Sequence, residues 1–388
     1  MKFRLLLFIF LLPFASFAQK DDGVKRGNDR DTIRDTICPG SQKIFISGSL
    51  HYGFLWSHRY NMGHLVRKHI TAFEIDLSKT SSGALCWQQP YHFPSTGMSI
   101  TVIPLGNPEQ LGTAIGVYPF VNFPLGNVKR KIKSNLRLGY GLGYITHPFD
   151  ALENHKNVAI GSHLNACIVL RLNEIWELND KNKIEFGLGL THFSNGAARL
   201  PNLGLNIPTV NIGFHHSIWQ NMRTKRTPEW ESKKAHTEEL LADPKWHVNV
   251  LLVTGFNDID PPGGKRYGLL NFHSSIMKRT AQKHRWGAGI DIMYSDAIRK
   301  KLSLDDVHVS AIGNLQPGAK FCYELVIGRL SLPFEMGAYL YTRYKLFGPV
   351  YNRFGIHYQA GDHLLVTLSL KTHFARAEYI EYGLGWRF

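Results

Sequence analysis

Apolar and polar residues alternate along much of the chain. Between Ile184 and Leu190 the even-numbered positions are apolar, whereas Glu and Gly occupy the odd-numbered positions. The C-terminal segment from Ile380 to Phe388 alternates in the same way and ends in an aromatic residue. Because successive side chains of a β-strand point to opposite faces, this pattern predicts strands with one apolar and one polar face.

Segments of this kind recur, separated by Gly, Asn, Asp and Pro. The first eight lie near residues 44–56, 68–78, 97–104, 111–122, 133–146, 157–171, 181–194 and 207–220. The last eight lie near residues 246–257, 265–278, 283–295, 315–329, 331–345, 350–359, 362–374 and 378–388. A hydrophilic linker at residues 223–245 separates the two groups. The pattern therefore predicts an all-β protein with two halves, residues 41–222 and 246–388.

The start of the chain has the features of a secretory signal peptide. Basic residues precede an apolar run at residues 5–14, and small residues precede a predicted cleavage site at Gln19. The apolar run is too short to span a bilayer as a retained helix. We therefore expect residues 1–18 to be removed on export. Residues 19–40 are charged and almost free of apolar side chains, which predicts a disordered tail.

Many amphipathic strands in an exported chain are a pattern typical of outer-membrane β-barrels. Beyond the signal peptide, no stretch reaches the roughly 18 apolar residues that a spanning helix needs. In a closed antiparallel barrel the apolar faces contact lipid, and the polar, glycine-rich faces line the interior. Phe388 and the alternating residues before it resemble the C-terminal signal of bacterial outer-membrane barrels. We therefore predict a transmembrane barrel in the bacterial outer membrane, with a periplasmic or secreted all-β domain as the alternative.

The sixteen predicted strands allow two architectures. Both halves could close one barrel of about 16 strands, or each half could form an eight-stranded barrel. The length of the linker at residues 223–245 favours two barrels, because periplasmic turns are normally short. Two barrels in one chain would require two separate membrane insertions, and this argument favours a single barrel slightly.

The two halves also resemble each other in sequence. Residues 188–194 match residues 368–375, and residues 161–166 match residues 355–360 in the same order. We interpret this as a diverged internal duplication. The second copy has Ala375 where the first copy has a serine. Chance similarity among short amphipathic strands is the alternative.

Three polar residues are predicted to meet near one rim of the first half. His192 and Ser194 are two positions apart on one strand, so both point to its apolar side, and a hairpin would bring Asn206 beside them. Polar groups that face hydrocarbon are costly and need a reason. An imidazole that takes the serine proton would supply one, with a third group to orient the ring. Such a site would act on a membrane lipid.

At these residues the sequence resembles a known enzyme family. The motif comprises His192–Phe193–Ser194–Asn195, then Pro201–Asn202, Gly204 and Asn206. It resembles the lipid A 3-O-deacylase family, the outer-membrane PagL enzymes, over roughly residues 41–220. The resemblance implies a serine carboxylic-ester hydrolase that removes the 3-O-linked acyl chain of lipid A, within lipopolysaccharide, without metal or other cofactor. It also implies that Ser194 is the nucleophile, His192 the general base and Asn195 the oxyanion residue.

Asn206 departs from the family pattern, in which the third member of the triad is a Glu. The carbonyl oxygen of an Asn can accept a hydrogen bond from the imidazole, but it cannot stabilise the imidazolium by charge. We therefore carry two hypotheses. The protein is an esterase that remodels lipopolysaccharide, or it is an inactive structural or lipid-binding barrel.

The other candidate site residues, histidines and cysteines, give weaker indications of function. His58, His64 and His69 match no common metal-site spacing and are expected in a solvated loop. The chain has four cysteines, of which Cys167 and Cys322 are predicted to face the interior, and Cys38 and Cys86 could form a disulfide.

The charge of the chain is consistent with a lipid partner. The formal net charge is +15, from 45 Lys and Arg against 30 Asp and Glu. These cations could meet the phosphates of lipopolysaccharide, or they could lie on solvated loops. We expect no nucleic-acid partner, because the exported chain has no recognised binding motif.

Overall fold

Two closed antiparallel barrels of eight strands each form the protein. The computed structural model describes residues 42–81, 86–126, 132–221, 246–307, 310, 312–374 and 376–388. The predicted signal peptide, charged tail and hydrophilic linker lie outside these residues. The all-β barrel fold predicted from the alternating pattern is confirmed.

Barrel 1 is formed by strands β1 to β8. Their bounds are Gln42–Gly53, Ile70–Lys79, Ser95–Pro104, Thr113–Leu125, Ile132–Ile145, Leu164–Glu177, Asn182–Ser194 and Leu205–Asn221. Each strand pairs with its neighbour in sequence, and β8 pairs with β1, where Phe214 lies opposite Gly48.

Barrel 2 is formed by strands β9 to β16. Their bounds are Trp246–Asn257, Tyr267–Arg279, His284–Ser295, Gln316–Ile327, Leu330–Tyr339, Val350–Ala360, Leu364–His373 and Arg376–Arg387. This barrel closes by pairing β16 with β9, where Leu384 lies opposite Leu252.

The closing pairs decide between the two predicted architectures. A single barrel of about sixteen strands would require β8 to pair with β9 and β16 to pair with β1. Instead, both edges of each half are used within that half. The alternative of two eight-stranded barrels is therefore confirmed, and the single barrel that the insertion argument favoured is wrong. Eight strands form a complete closed unit, so a neighbouring barrel is not needed to satisfy the edges.

Helical segments are short in the described part of the chain. Helix α1 spans Asp296–Leu304 between β11 and β12, and its buried residues include Ile298 and Leu302. Short 3-10 helices lie at Tyr60–Leu65, Cys86–Gln88 and Ile312–Asn314. Among the described residues, no helix is both long enough and apolar enough to cross a membrane.

The two barrels have the same orientation. We call the end that carries the β1–β2, β3–β4, β5–β6 and β7–β8 connections the upper rim of barrel 1. The equivalent end of barrel 2 carries the β9–β10, β11–β12, β13–β14 and β15–β16 connections. The upper rims contact each other, since Asp258 N–H donates a hydrogen bond to Ala197 O at 3.0 Å. The lower rims also touch, since Tyr91 O–H donates to Val326 O at 2.8 Å.

Ion pairs occupy the interior of barrel 1. Arg171 donates two hydrogen bonds to Glu74, at 2.8 and 2.9 Å, and Arg137 bridges Glu74 and Asp76 at 3.0 and 2.8 Å. All four side chains are buried. Unpaired charges would cost several kcal/mol each in this setting, so their partners are a condition of the fold.

Barrel 2 has a different set of buried ion pairs in its interior. Arg353 contacts Asp291, Glu335 and Glu381 at 3.0, 2.6 and 2.7 Å. Lys320 lies 2.9 Å from both Asp291 and Glu335. Cys167 and Cys322, predicted to face the barrel interiors, are buried with free thiols.

Outward-facing apolar side chains are exposed along much of each barrel and buried where the barrels meet. On β7 and β8 the outward side chains Phe186, Leu188, Val210 and Ile212 are exposed, as befits a surface in contact with lipid. Elsewhere, outward residues of the two barrels bury each other. Val121, Phe123 and Tyr91 of barrel 1 form one buried cluster with Ile327 of barrel 2.

Of the two sequence matches that suggested a duplication, one joins equivalent positions of the two barrels and the other does not. Residues 188–194 and the described part of 368–375 both end the seventh strand of their barrel at the upper rim. Residues 161–166 precede and begin β6, whereas residues 355–360 end β14 at the lower rim, so this second match joins non-equivalent positions. The predicted counterpart of Ser194, Ala375, lies outside the described residues.

Candidate active site

The β7–β8 hairpin brings His192 and Asn206 together at the upper rim. The two residues lie opposite each other in the strand register. Their side chains are hydrogen bonded, with 2.6 Å between His192 Nδ1 and Asn206 Oδ1. Both side chains are half-buried and point to the outside of the barrel, because they share the parity of Leu188 and Val210.

A third residue fixes the orientation of the Asn206 amide. His58 Nε2 lies 3.1 Å from Leu203 O, which can only accept a hydrogen bond, so this ring nitrogen carries the proton. His58 Nδ1 lies 3.1 Å from Asn206 Nδ2 and farther, 3.4 Å, from Trp56 O. In a neutral ring with its proton on Nε2, Nδ1 is an acceptor, and Asn206 Nδ2 donates to it.

The tautomer of His192 follows from this chain of hydrogen bonds. With Asn206 Nδ2 turned to His58, Asn206 Oδ1 faces His192 and accepts from its Nδ1–H. His192 Nε2 is thereby left with a lone pair, which is the state that a general base requires. The chain thus supplies an orienting acceptor without a carboxylate.

Ser194 is the last residue of β7. Its side chain is 7 % exposed, although its position in the strand shares the outward parity of His192. Within the described residues, no hydrogen bond joins Ser194 Oγ to the His192 ring. The chain packs against barrel 2 two residues further on, since a Cβ on Gly196 would lie 2.3 Å from Ile380 Cγ1. Ser194 is therefore close to the junction between the barrels.

Asn195 is buried in a hydrogen-bonded loop. Its Nδ2 donates to Ser162 Oγ at 2.8 Å, and its backbone N–H donates to Asn202 Oδ1 at 2.9 Å. Its Oδ1 accepts the backbone N–H of Arg199 at 3.3 Å. An amide nitrogen carries two hydrogens, so the contact with Ser162 leaves one N–H of Asn195 Nδ2 as a further donor.

The contact of His58 with the site was not predicted from the sequence. His58 is 148 residues from Asn206 in the chain and lies in the β1–β2 connection. The sequence pattern placed it with His64 and His69 in a solvated loop. His64 is exposed and contacts Lys156 O at 2.7 Å, and His69 stacks on Tyr52. A local signal for the role of His58 is absent, because only the closure of β1 onto β8 brings it to Asn206.

The described part of the chain includes most candidate metal ligands but not the predicted disulfide. In the described ranges, no group of three or more His, Cys, Asp or Glu side chains could hold a metal ion. Cys38 and the side chain of Cys86 lie outside the described residues, so the predicted disulfide remains a prediction.

Comparison with solved structures yields barrels of low similarity. Neisserial surface protein A shares 8 % identity over 46 % of this chain and 99 % of its own, with a TM-score of 0.32. The outer membrane enzyme PagL shares 13 % identity over 43 % of this chain and 97 % of its own, with a TM-score of 0.28. A mutant porin of Rhodopseudomonas blastica covers 89 % of this chain and 100 % of its own at 8 % identity, with a TM-score of 0.19.

Comparison with protein families assigns each barrel separately. No curated protein matches the chain significantly. The family described as lipid A 3-O-deacylase (PagL) matches residues 76–215, in barrel 1. The family described as acyloxyacyl hydrolase, C-terminal domain (PagL_C), matches residues 246–388, which form barrel 2. Taken together, the two matches cover most of the chain, which therefore combines a PagL domain in barrel 1 with a PagL C-terminal domain in barrel 2.

Proposed function

We propose that the protein is an outer-membrane esterase that removes the 3-O-linked acyl chain of lipid A. Ser194 is the nucleophile, His192 the general base, Asn206 the residue that orients His192, and Asn195 the oxyanion donor. The observation that carries this proposal is the 2.6 Å hydrogen bond between His192 Nδ1 and Asn206 Oδ1, on the strand that ends at Ser194.

The reaction transfers the acyl group in two steps. Ser194 Oγ attacks the ester carbonyl carbon while His192 Nε2 takes the hydroxyl proton. The negative charge on the carbonyl oxygen is stabilised by the remaining N–H of Asn195 Nδ2. When the ester bond breaks, His192 returns the proton to the leaving sugar oxygen. Water then hydrolyses the acyl-enzyme with His192 again acting as base, which releases a fatty acid.

The surface below the site suits an acyl chain. A shallow apolar depression of about 640 Å³ runs down the outside of barrel 1, lined by Phe186, Leu188, Val210 and Ile212 among others. Leu188 is four residues from His192 on the same strand face, which corresponds to roughly 14 Å. A lipid whose ester lies at the upper rim can therefore extend its acyl chains along this face and stay in the hydrocarbon layer.

The alternative function is an inactive barrel that binds lipid or supports the membrane. Two observations favour it, namely the amide at position 206 and the absence of a hydrogen bond between Ser194 and His192 within the described residues. In unliganded enzymes, catalytic hydrogen bonds are often long and shorten only with substrate, so the second observation weighs less than the first.

Mass spectrometry of lipid A separates the two functions. The chain is produced with its leader in a Gram-negative host whose lipid A keeps the 3-O-acyl chain, and Ser194→Ala, His192→Ala and the control Ser303→Ala are compared. We expect loss of one acyl chain with the wild type and with Ser303→Ala, and intact lipid A with the other two variants. Deacylation that persists in Ser194→Ala refutes the serine mechanism. Intact lipid A with folded wild-type protein in the outer membrane supports the inactive barrel.

A further inference from the structure

A cleft between the two barrels opens at the upper rim beside the candidate active site. Its volume is about 470 Å³, and its walls come from the β1–β2 and β7–β8 connections of barrel 1 and from the rim of barrel 2. His58, which holds the Asn206 amide, lines this cleft. Asn202, which accepts the backbone N–H of Asn195, lines it as well. The cleft is therefore bordered by residues that are hydrogen bonded to Asn206 and Asn195.

Three cations line the cleft without an ion-pair partner among the described residues, namely Arg59, Lys301 and Arg376. Lys301 Nζ lies 5.3 Å and Arg376 Cζ 4.8 Å from the centre of the same Phe347 ring. Burial lowers the pKa of Lys301, and the charge of Arg376 also lowers it, whereas Glu378 and Asp260 raise it. Two cations at one aromatic ring repel each other, and an anion bound between them would relieve that repulsion.

Within the described residues, the carboxylates of the cleft form no ion pair with Lys301 or Arg376. Asp258 accepts the backbone N–H of Leu200 at 3.3 Å and lies 3.7 Å from Arg199. Glu378 is paired with Lys371, which lies inside barrel 2. Of the acids in the cleft, Asp260 alone has no ion pair within the described residues. Three free cations against one free carboxylate leave an excess of positive charge.

Two buried acceptors in the cleft also have no partner among the described residues. Asn257 Oδ1 and Glu378 Oε1 make no hydrogen bond, although Asn257 is 3 % and Glu378 6 % exposed. Buried acceptors are normally satisfied, and a ligand in the cleft that brings O–H or N–H donors would satisfy them. The cleft thus combines sites for an anion and for hydroxyl or amide groups.

We propose that this cleft binds the phosphorylated sugar headgroup of the membrane lipid whose ester is presented to Ser194. Lys301 and Arg376 bind a phosphate, Arg59 adds charge at the opposite wall, and Asn257 and Glu378 accept hydrogen bonds from sugar hydroxyl or amide groups. Barrel 2 therefore contributes a binding site for a reaction whose chemical groups all belong to barrel 1. The inference rests on the proposed function for the lipid that it names.

Binding measured without turnover tests the proposal. In detergent micelles, the Ser194→Ala protein is titrated with lipid A and with chemically dephosphorylated lipid A. Adding Lys301→Ala and Arg376→Ala is expected to weaken binding of lipid A about 10- to 100-fold. Each charge-assisted hydrogen bond contributes about a factor of ten to the affinity. Binding of the dephosphorylated lipid should change little. Asn257→Ala should weaken binding of both lipids.

Matched variants define the controls. Arg299→Ala with Lys300→Ala removes two exposed cations from α1 outside the cleft and should leave both affinities unchanged. Lys301→Arg with Arg376→Lys keeps the charge and should retain most of the affinity. Unchanged lipid A binding in Lys301→Ala/Arg376→Ala overturns the proposal. Inorganic phosphate that competes at the same concentration as the lipid also overturns it, because the site would then be a general anion site.

The outcome is independent of the deacylase test. If Ser194→Ala still deacylates lipid A while the cleft variants lose binding, the headgroup site stands and the serine mechanism fails. If Ser194→Ala abolishes deacylation while the cleft variants bind normally, the mechanism stands and the headgroup site fails.

Discussion

His58 Nδ1 accepts a hydrogen bond from Asn206 Nδ2 at 3.1 Å, and this contact sets which end of the Asn206 amide faces the candidate catalytic histidine. An amide can present either its oxygen or its nitrogen to a neighbour, and a carboxylate has no such ambiguity. An amide at position 206 therefore needs a second residue to orient it. His58 meets that need through its own hydrogen bond to Leu203 O.

Removing His58 should lower the turnover number of the proposed esterase. In His58→Ala the Asn206 amide is free to rotate and to donate to His192 Nδ1, which places the ring proton on Nε2 and removes the base. We expect kcat to fall about tenfold or more, within the loss known for a triad histidine in the wrong tautomer.

Two variants make the His58 experiment specific. His58→Gln offers an acceptor oxygen to Asn206 and should recover part of kcat. His64→Ala removes an exposed histidine from the same connection and should leave kcat unchanged. Equal losses in His58→Ala and His58→Gln would argue against a positioning role.

Restoring a carboxylate should accelerate the reaction. Asp has the same shape as Asn, so Asn206→Asp keeps the hydrogen bond to His192 and adds a charge that stabilises the imidazolium. We expect kcat for lipid A deacylation to rise about tenfold or more. Asn179→Asp adds the same charge at the lower rim, far from the site, and should have no effect. A lower kcat in Asn206→Asp would show that the amide is needed as a donor to His58.

The position of the β7–β8 connection against barrel 2 should matter for activity. Gly196 has a φ of 60°, and a Cβ there would lie 2.3 Å from Ile380 Cγ1. Gly196→Leu should separate the upper rims and abolish most deacylation. Both barrels should remain folded, which heat-modifiable mobility on gels would show. Gly126 has a φ of 72° with open space around it, so Gly126→Leu controls for backbone strain alone. Equal activity of the two variants would contradict this role of the barrel junction.

Breaking one interior ion pair should destabilise barrel 1. Arg171→Met leaves the buried Glu74 carboxylate without its bidentate partner, which should lower the free energy of unfolding by about 3–5 kcal/mol. The measurement is urea-induced unfolding in lipid vesicles. Arg137 remains beside Glu74 at 3.0 Å but is shared with Asp76, so adding Glu74→Gln removes the excess negative charge and should recover part of the loss. If the double variant is no more stable than Arg171→Met, the charge of Glu74 is not the cause.

The strands were predictable, but their ends were less so. The alternation placed a strand near residues 157–171, whereas β6 spans Leu164–Glu177. The mismatch arises because Val158 and Ile160 pack into the core cluster at the upper rim from a loop that Asn157 holds by side-chain hydrogen bonds. Helix α1 was missed because it is short and lies between two strands whose periodicity dominates that region.

The sequence by itself determined the local structure and the candidate residues of the site. A period of two sets which side chains face lipid and which face the interior, and it placed His192 with Ser194 and predicted Asn206 on one side of a hairpin. Only the tertiary structure decided that the chain closes twice, and that His58 completes the hydrogen bonds of the site. Both outcomes depend on pairing between distant strands, β8 with β1 and β16 with β9, which a local repeat does not encode.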